Sequence, residues 1–381
     1  MAKRAIGFDK KKMDALMDQE NIDVIIALKP QNIFYTTGFP SLLNDVIPLW
    51  GIVNEAYPQI SIIPKDKEQV LIAPISAERD ARIHSWVRDY RSYATKEDAF
   101  NLVRKSLEEM ELVKGTIAIE STIPFYAYTY LRNKLPDATL KTTADELLSK
   151  VKKVKSDEEI RRLKKAAEIG QKATVEAIEN MKEGTPIIDL IQIVKSTIIK
   201  EGGTGWYHTN VWSEKKREED KGYFSKVVKG DLVSLDIGAV YYGYTSDMRR
   251  TAFVGMDQPS NVRKMYDVIC EALDAVIEAI RPGVRLGQIY DIAHNILHRA
   301  GYPGKFGWSI GHSIGVEVEE EPKIVEGSKE TFESNMAFAV EMWYPIEPWP
   351  TFGVGVEEMG IITKKGFEKY TTMDRNIYIV K

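Results

Sequence analysis

One stretch, DLVSLDIGAVYYGYTSDMRRTAFVG at residues 231–255, constrains this chain more than any other. Its residues alternate with a period of two around Tyr241-Tyr242-Gly243, which predicts two antiparallel strands joined by a tight turn. A two-residue turn at Tyr241-Tyr242 gives cross-strand partners whose numbers sum to 483, and one at Tyr242-Gly243 gives 485. Both sums are odd, so Asp236 and Asp247 share a face, directly opposite in the first register and diagonal in the second. Two bare carboxylates this close repel. Such a pair is tolerated if it shares a proton or binds a cation, and hard divalent ions favour oxygen ligands. The alternative is a solvated face with two unrelated aspartates.

Three further segments bear on that choice. GWSIGHSIGVEVEEEP sets His312 among glycines in a strand-like context, although a lone histidine is often a structural residue. FAVEMWYP places Glu341 in an apolar strand flanked by Phe338 and Val340, and a buried carboxylate needs a partner. GVGVEEMGIIT carries Glu357 and Glu358, whose side chains must take opposite faces, so only one points inward. Together, two aspartates, one histidine and two glutamates on strands supply donors for two divalent metals sharing bridging carboxylates.

The 381 residues exceed what one core of about 250–300 residues accommodates, so two domains are expected. With 52 Lys+Arg against 56 Asp+Glu, the balance of -4 argues against nucleic acid as a partner. The single cysteine, Cys270, cannot close an intrachain disulfide and reads as a small buried hydrophobe, which also argues against a thiol enzyme. MAKRAIGFDKKKM lacks the apolar core of a signal peptide, and no run of roughly 18 apolar residues exists, so no membrane and a cytoplasmic location are expected.

Residues 1–150 interleave short apolar runs (VIIALK, YTTGF, ISIIP, QVLIAP, TIAIE) with helical patterns at Asp9–Gln19 and Lys96–Met110, an α/β arrangement. Ser156 with Glu159 forms a capping box, so a long helix should start there and the domain boundary falls near 150. Helices are expected over 156–181, 186–201, Val262 to Ile280 and 286–300, followed by Gly-rich strands.

Asp236, Asp247, His312, Glu341 and Glu357, within LDIGAVYYGYTSDMRRT, GHSIGVEVEEEP, FAVEMWYP and GVEEMGIIT, resemble the five-ligand signature of the metal-dependent methionine aminopeptidase, prolidase, Xaa-Pro aminopeptidase and creatinase family. IALKPQNIFYTTGF is similar to the N-terminal domain of the prolidase and creatinase branch. The resemblance implies an α+β chain. A smaller α/β creatinase-type domain at 1–150 would precede a pita-bread catalytic domain at 151–381. It implies two divalent ions (Mn, Co, Fe or Zn), Asp236 on one, His312 and Glu341 on the other, and Asp247 and Glu357 bridging. A bridging hydroxide would attack an amide carbonyl of a small peptide or small molecule. A homodimer is implied as well.

The chain departs from that family at two assisting histidines. In the slot of G-H-G-I-G-L-x-x-H-E-x-P it has Glu319, and before the first aspartate it reads REEDKGYF, with Glu219 or Asp220 nearest. His208 lies 28 residues before Asp236 and reaches the site only if the chain between them loops back. A carboxylate donates no hydrogen bond unless protonated, so these acids either favour a cationic or donor-rich substrate or act as general acid/base groups with raised pKa. Glu319 equally fits a solvated acidic strand. Aromatic residues nearby (Trp308, Trp343, Tyr344, Trp349, Phe352, Trp206, Tyr207 and Trp212) suit either a compact substrate pocket or ordinary packing, and Glu347 is a weaker candidate for a substrate ammonium. The leading expectation is a Xaa-Pro aminopeptidase or dipeptidase-like hydrolase. The alternatives are a non-peptidase enzyme on this scaffold (amidinohydrolase, cyclic amidine hydrolase or lyase) and a catalytically silent binding protein.

Overall fold

A computed structural model describes residues 5–40, 57–213, 222–255 and 258–381, with the side chains of 350–352 left aside. The chain divides into two compact units, Met1–Lys152 and Lys153–Lys381. Among the described residues no helix is long and apolar enough to cross a membrane.

The first unit runs α1 (Lys10–Gln19), β1 (Val24–Ala27), α2 (Pro30–Thr37), β2 (Ile60–Pro64), β3 (Val70–Pro74) and α3 (Glu78–His84). It continues through β4 (Asp89–Tyr93), α4 (Lys96–Glu109), β5 (Thr116–Ile119), α5 (Phe125–Lys134), β6 (Thr139–Lys141) and α6 (Ala144–Lys152). Its strands form one mixed sheet in the order β4-β3-β2-β1-β5-β6. β1, β2 and β3 are buried at every position, because helices and connections cover both faces. YTTGF, expected as a short strand, is instead the end of a helix. Pro30 stands at the first helical position and Gly38 closes α2 with φ 69°, and these local signals outweigh the β propensity of Tyr and Thr. Glu120, fully buried, accepts from the Leu28 and Lys29 amides (each 2.8 Å) and from Asn32 Nδ2 (2.6 Å), which pins the β1–α2 junction.

The second unit opens with α7 (Asp157–Glu179), where Ser156 and Glu159 make both bonds of the capping box. Next come α8 (Ile187–Lys200), β7 (Gly205–Ser213), β8 (Leu232–Tyr241), β9 (Tyr244–Thr245), β10 (Arg249–Val254), α9 (Ser260–Ala279) and α10 (Leu286–Arg299). The chain ends with β11 (Gly311–Ser313), β12 (Glu320–Lys323), β13 (Ala337–Ile346), β14 (Trp349–Thr363), β15 (Gly366–Lys369) and β16 (Tyr378–Val380). Two sheets result, β16-β10-β8-β7 with β9 on β8, and β12-β11-β13-β14-β15.

Strand alternation decides what each sheet faces. Leu235, Ile237 and Ala239 of β8 pack with Ile169, Ala173, Leu190 and Val194 of α7 and α8. Phe338, Val340 and Met342 of β13 pack with Ile269, Leu273 and Ile289 of α9 and α10. The intervening residues, among them Asp236 and Glu341, therefore point away from the helices. Cys270 of α9 is half-buried against the second core, and burial pushes its thiol up to about 11, so it is an unreactive thiol at neutral pH.

His294 of α10 is buried in the second core, stacked on Tyr290 with ring centroids 4.0 Å apart. The Phe306 amide donates to its Nε2 (3.2 Å), so Nδ1 carries the proton and donates to the Tyr290 carbonyl (3.1 Å). Burial, which disfavours the cation, holds its pKa below the usual 6.5. The unfolded chain then binds this proton more readily than the folded one. The stabilisation is complete above about pH 6.5 and is lost as pH falls toward the lower folded value. Calorimetry from pH 7.5 to 5.5 should show the melting temperature of wild type falling more steeply than that of His294→Gln; parallel curves would refute the assignment.

Candidate metal centre

The turn of the informative hairpin is Tyr242-Gly243, with φ 44° and 81°, so both central residues are left-handed as the tightest hairpin turns require. Tyr241 pairs with Tyr244 and Asp236 with Arg249, the register whose numbers sum to 485. Asp236 and Asp247 are accordingly diagonal neighbours on one face. In the other sheet Glu341 stands directly opposite Glu357, and His312 pairs with Ala339, two residues before Glu341. His312, Glu341 and Glu357 therefore share a face too.

These faces meet. His312 Nε2 lies 3.7 Å from Asp247 Oδ2 and 3.9 Å from Glu357 Oε1, while its Nδ1 donates to the Ser313 carbonyl (3.2 Å). That bond leaves Nε2 with a lone pair facing the carboxylates, the arrangement of a metal-ligating imidazole. A second histidine completes the group. β7 runs antiparallel beside β8, with a register irregularity between Trp206 and His208. His208 Nε2 comes 2.8 Å from Asp236 Oδ1 and 3.1 Å from Asp247 Oδ1. Two triads of donor atoms result, His208–Asp236–Asp247 and Asp247–His312–Glu357, with Asp247 common to both and all atoms of a triad within 4.8 Å of one another. Glu341 stands beside these triads and outside both.

The electrostatics are those of crowded acids. Burial, followed by the Asp247 and Glu341 charges, pushes Glu357 well above the carboxylate range. Burial likewise raises Asp247, and it raises Glu341 to about 7. Burial opposes a charged His208, but Asp247 and Asp236 outweigh it and hold the imidazole pKa well above 6.5; the same contact holds Asp236 low against its own burial. Ionised together these carboxylates repel, and divalent cations would offset that charge. Glu357 Oε1 is buried with no hydrogen-bond donor in reach among the described residues, which leaves an oxygen for an ion.

Arg250, fully buried, reaches away from the cluster. It donates to the carbonyls of Glu357 (2.7 Å), Asp374 (3.0 Å) and Met373 (3.2 Å) and pairs with Glu358 at 3.4 Å. Of the two adjacent glutamates, Glu357 joins the acidic cluster and Glu358 the Arg250 side.

Residues 161–364 match metallopeptidase family M24, more than half of the chain, and residues 10–151 match the creatinase/prolidase N-terminal domain. The chain belongs to metallopeptidase family M24. Among its relatives is a Xaa-Pro dipeptidase of Pyrococcus horikoshii, 27% identical, with 96% of this chain and 97% of that protein covered. Another, from Lactobacillus helveticus, is also 27% identical, with 97% and 98% covered. The solved prolidase of Pyrococcus horikoshii superposes with a TM-score of 0.82 at 25% identity, covering 97% of this chain and 99% of that one. The architecture is thus the creatinase-type N-terminal unit followed by the M24 pita-bread unit, and the enzyme is a metal-dependent hydrolase. Membership in M24 implies divalent metal ions, and a buried set of two imidazoles and several carboxylates fits them.

The acids expected at the assisting positions behave differently from the cluster. Glu319 is about half exposed and paired with Lys323, whose ammonium also lies 4.5 Å from the Trp308 ring centroid. Burial raises the Glu319 carboxyl, but the bond from Lys323 and the nearby histidines prevail and hold it below the usual value. Of the alternatives open for Glu319, this speaks against a general acid with raised pKa. Glu219 and Asp220 lie outside the described residues, as does the side chain of Phe352. Trp349 is buried in the core beside Phe253, whereas Trp308 is 64% exposed.

Proposed function

We propose that this M24 enzyme is a dinuclear Xaa-Pro dipeptidase or aminopeptidase, with 1–150 as its N-terminal domain and 151–381 as its catalytic domain. In this reading Asp236, Asp247, His312, Glu341 and Glu357 hold two divalent ions, manganese, cobalt, iron or zinc. The observation that carries the reading is Asp247, a single carboxylate placed between Asp236 on one side and His312 with Glu357 on the other. Bound divalent ions supply Lewis acidity at the scissile carbonyl and a nucleophile at neutral pH. The chain's own residues do the rest. His312 is held by its Nδ1 bond to Ser313 and keeps Nε2 aimed at the site. His208 Nε2, held between Asp236 and Asp247 and outside the ligand set proposed here, is placed to donate a proton to the oxygen of a tetrahedral intermediate. Glu341, raised to about 7 by burial and the neighbouring acids, would give up its proton when a cation binds beside it.

His208 thus provides one donor that the acidic sequence positions lacked, which favours a peptidase over other hydrolases on this scaffold. Glu319, tied to Lys323, favours the non-peptidase reading, since no histidine stands there. Following the family resemblance, we infer a cytoplasmic homodimer. The test is to load purified protein with Mn²⁺ or Co²⁺ and assay proline release from a panel of Xaa-Pro dipeptides and tripeptides. Absence of turnover at every metal loading overturns the peptidase reading, and sedimentation as a monomer overturns the dimer.

A further inference from the structure

The face that carries Asp236 and Asp247 also carries a cation. Arg249 lies directly opposite Asp236 across β8 and β10 and two residues from Asp247, so strand alternation turns all three side chains the same way. It is 3% exposed. Its Nε donates to Ser234 Oγ at 2.8 Å, which fixes the guanidinium plane. On its other side lies Gly355, where a Cβ would stand 2.8 Å from Arg249 Nε and 2.9 Å from Trp343 Cβ, so the absence of a side chain at 355 is what admits the guanidinium. A buried guanidinium so built in acts on the acids across the cleft.

We propose that Arg249 is a fixed counter-charge of the metal centre: it steadies the carboxylates when no metal is bound and weakens the affinity for divalent cations of the triad containing Asp236. The proposal rests on the cluster being a metal centre. Four carboxylates against the guanidinium and the His208 imidazolium leave two negative charges, which one divalent ion balances. A second ion enters a cluster whose charge is already balanced, on the face where Arg249 stands opposite Asp236. The arginine is a charge-setting residue and makes no contact with substrate in this scheme.

The test is calorimetric titration of the dialysed chain with Mn²⁺ in about 0.15 M salt, where buried charges are screened little. Wild type, Arg249→Gln and Arg249→Lys are compared, with melting temperatures recorded with and without metal. Arg249→Gln is expected to bind its weakest Mn²⁺ about tenfold or more tighter than wild type, because a unit charge at this range acts strongly on a divalent ion. Arg249→Lys, which keeps the charge, should stay within about threefold of wild type. The rise in melting temperature on adding Mn²⁺ should be larger for Arg249→Gln than for wild type, since tighter ligands stabilise more. Unchanged or weaker binding in Arg249→Gln overturns the proposal. If Arg249→Gln is unfolded without metal, refolding on titration with Mn²⁺ supports it, and failure to fold at any Mn²⁺ concentration overturns it in favour of a packing role. Failure of wild type to bind Mn²⁺ would instead overturn the metal-centre reading itself.

Discussion

Asp247→Ala is expected to strip metal from both triads at once and to lower kcat/KM by ~10³-fold or more, the scale of losing several kcal/mol of charge stabilisation. The reason is geometric. Asp247 belongs to both groups of donor atoms, with His208 and Asp236 on one side and His312 and Glu357 on the other. Removing Glu341, which lies outside both triads, should cost at most one ion per chain. Metal analysis after dialysis separates the two, and an Asp247→Ala protein that retains one tightly held ion and activity within about tenfold of wild type would sink the shared-ligand reading. The metal-free variant should be no less stable than metal-free wild type. Burial raises Asp247 in pKa, so the folded chain holds this carboxylate at a cost that alanine removes.

His208→Ala is the second large effect. Its Nε2 sits between Asp236 and Asp247 at 2.8 and 3.1 Å, and we assign it to proton donation toward the substrate oxygen. Loss of one such donor typically costs about 10²–10³-fold in kcat. KM and the number of ions bound at saturating Mn²⁺ should hardly change. A fall in metal stoichiometry by one ion, with the activity of the remaining loaded enzyme intact, would make His208 a ligand and defeat the donor role. His208→Gln, which can still donate from an amide, should recover part of the rate.

How much of this could be read from the chain depends on how local each signal is. The start of α7 was legible because a capping box is complete within four residues, Ser156 to Glu159. The common face of Asp236 and Asp247 was legible because parity survives either turn; which turn forms depended on φ values at Tyr242 and Gly243 that the letters left open. YTTGF misled because Tyr and Thr favour a strand, whereas Pro30 five residues upstream and Gly38 within it set the two ends of a helix. His208 was obscured for a different reason. Its place beside β8 is a strand pairing between distant residues, and counting back from Asp236 along the chain does not measure distance in space. Arg249 carried a signal that could have been used. It has the same parity as Asp247, so the hairpin that placed the aspartates also placed the arginine beside them.

Arg250 gives the last stretch of the chain an importance that its distance from the acidic cluster conceals. Its guanidinium joins the Glu357 carbonyl to those of Met373 and Asp374, and beyond them β16 adds to β10 through Tyr378, Ile379 and Val380. The tail works as a bolt through the back of the catalytic unit, drawn against the strand that carries Glu357. A chain cut at residue 370 would leave a buried arginine with fewer acceptors and an exposed edge on β10, so any shortening of the protein should spare this end.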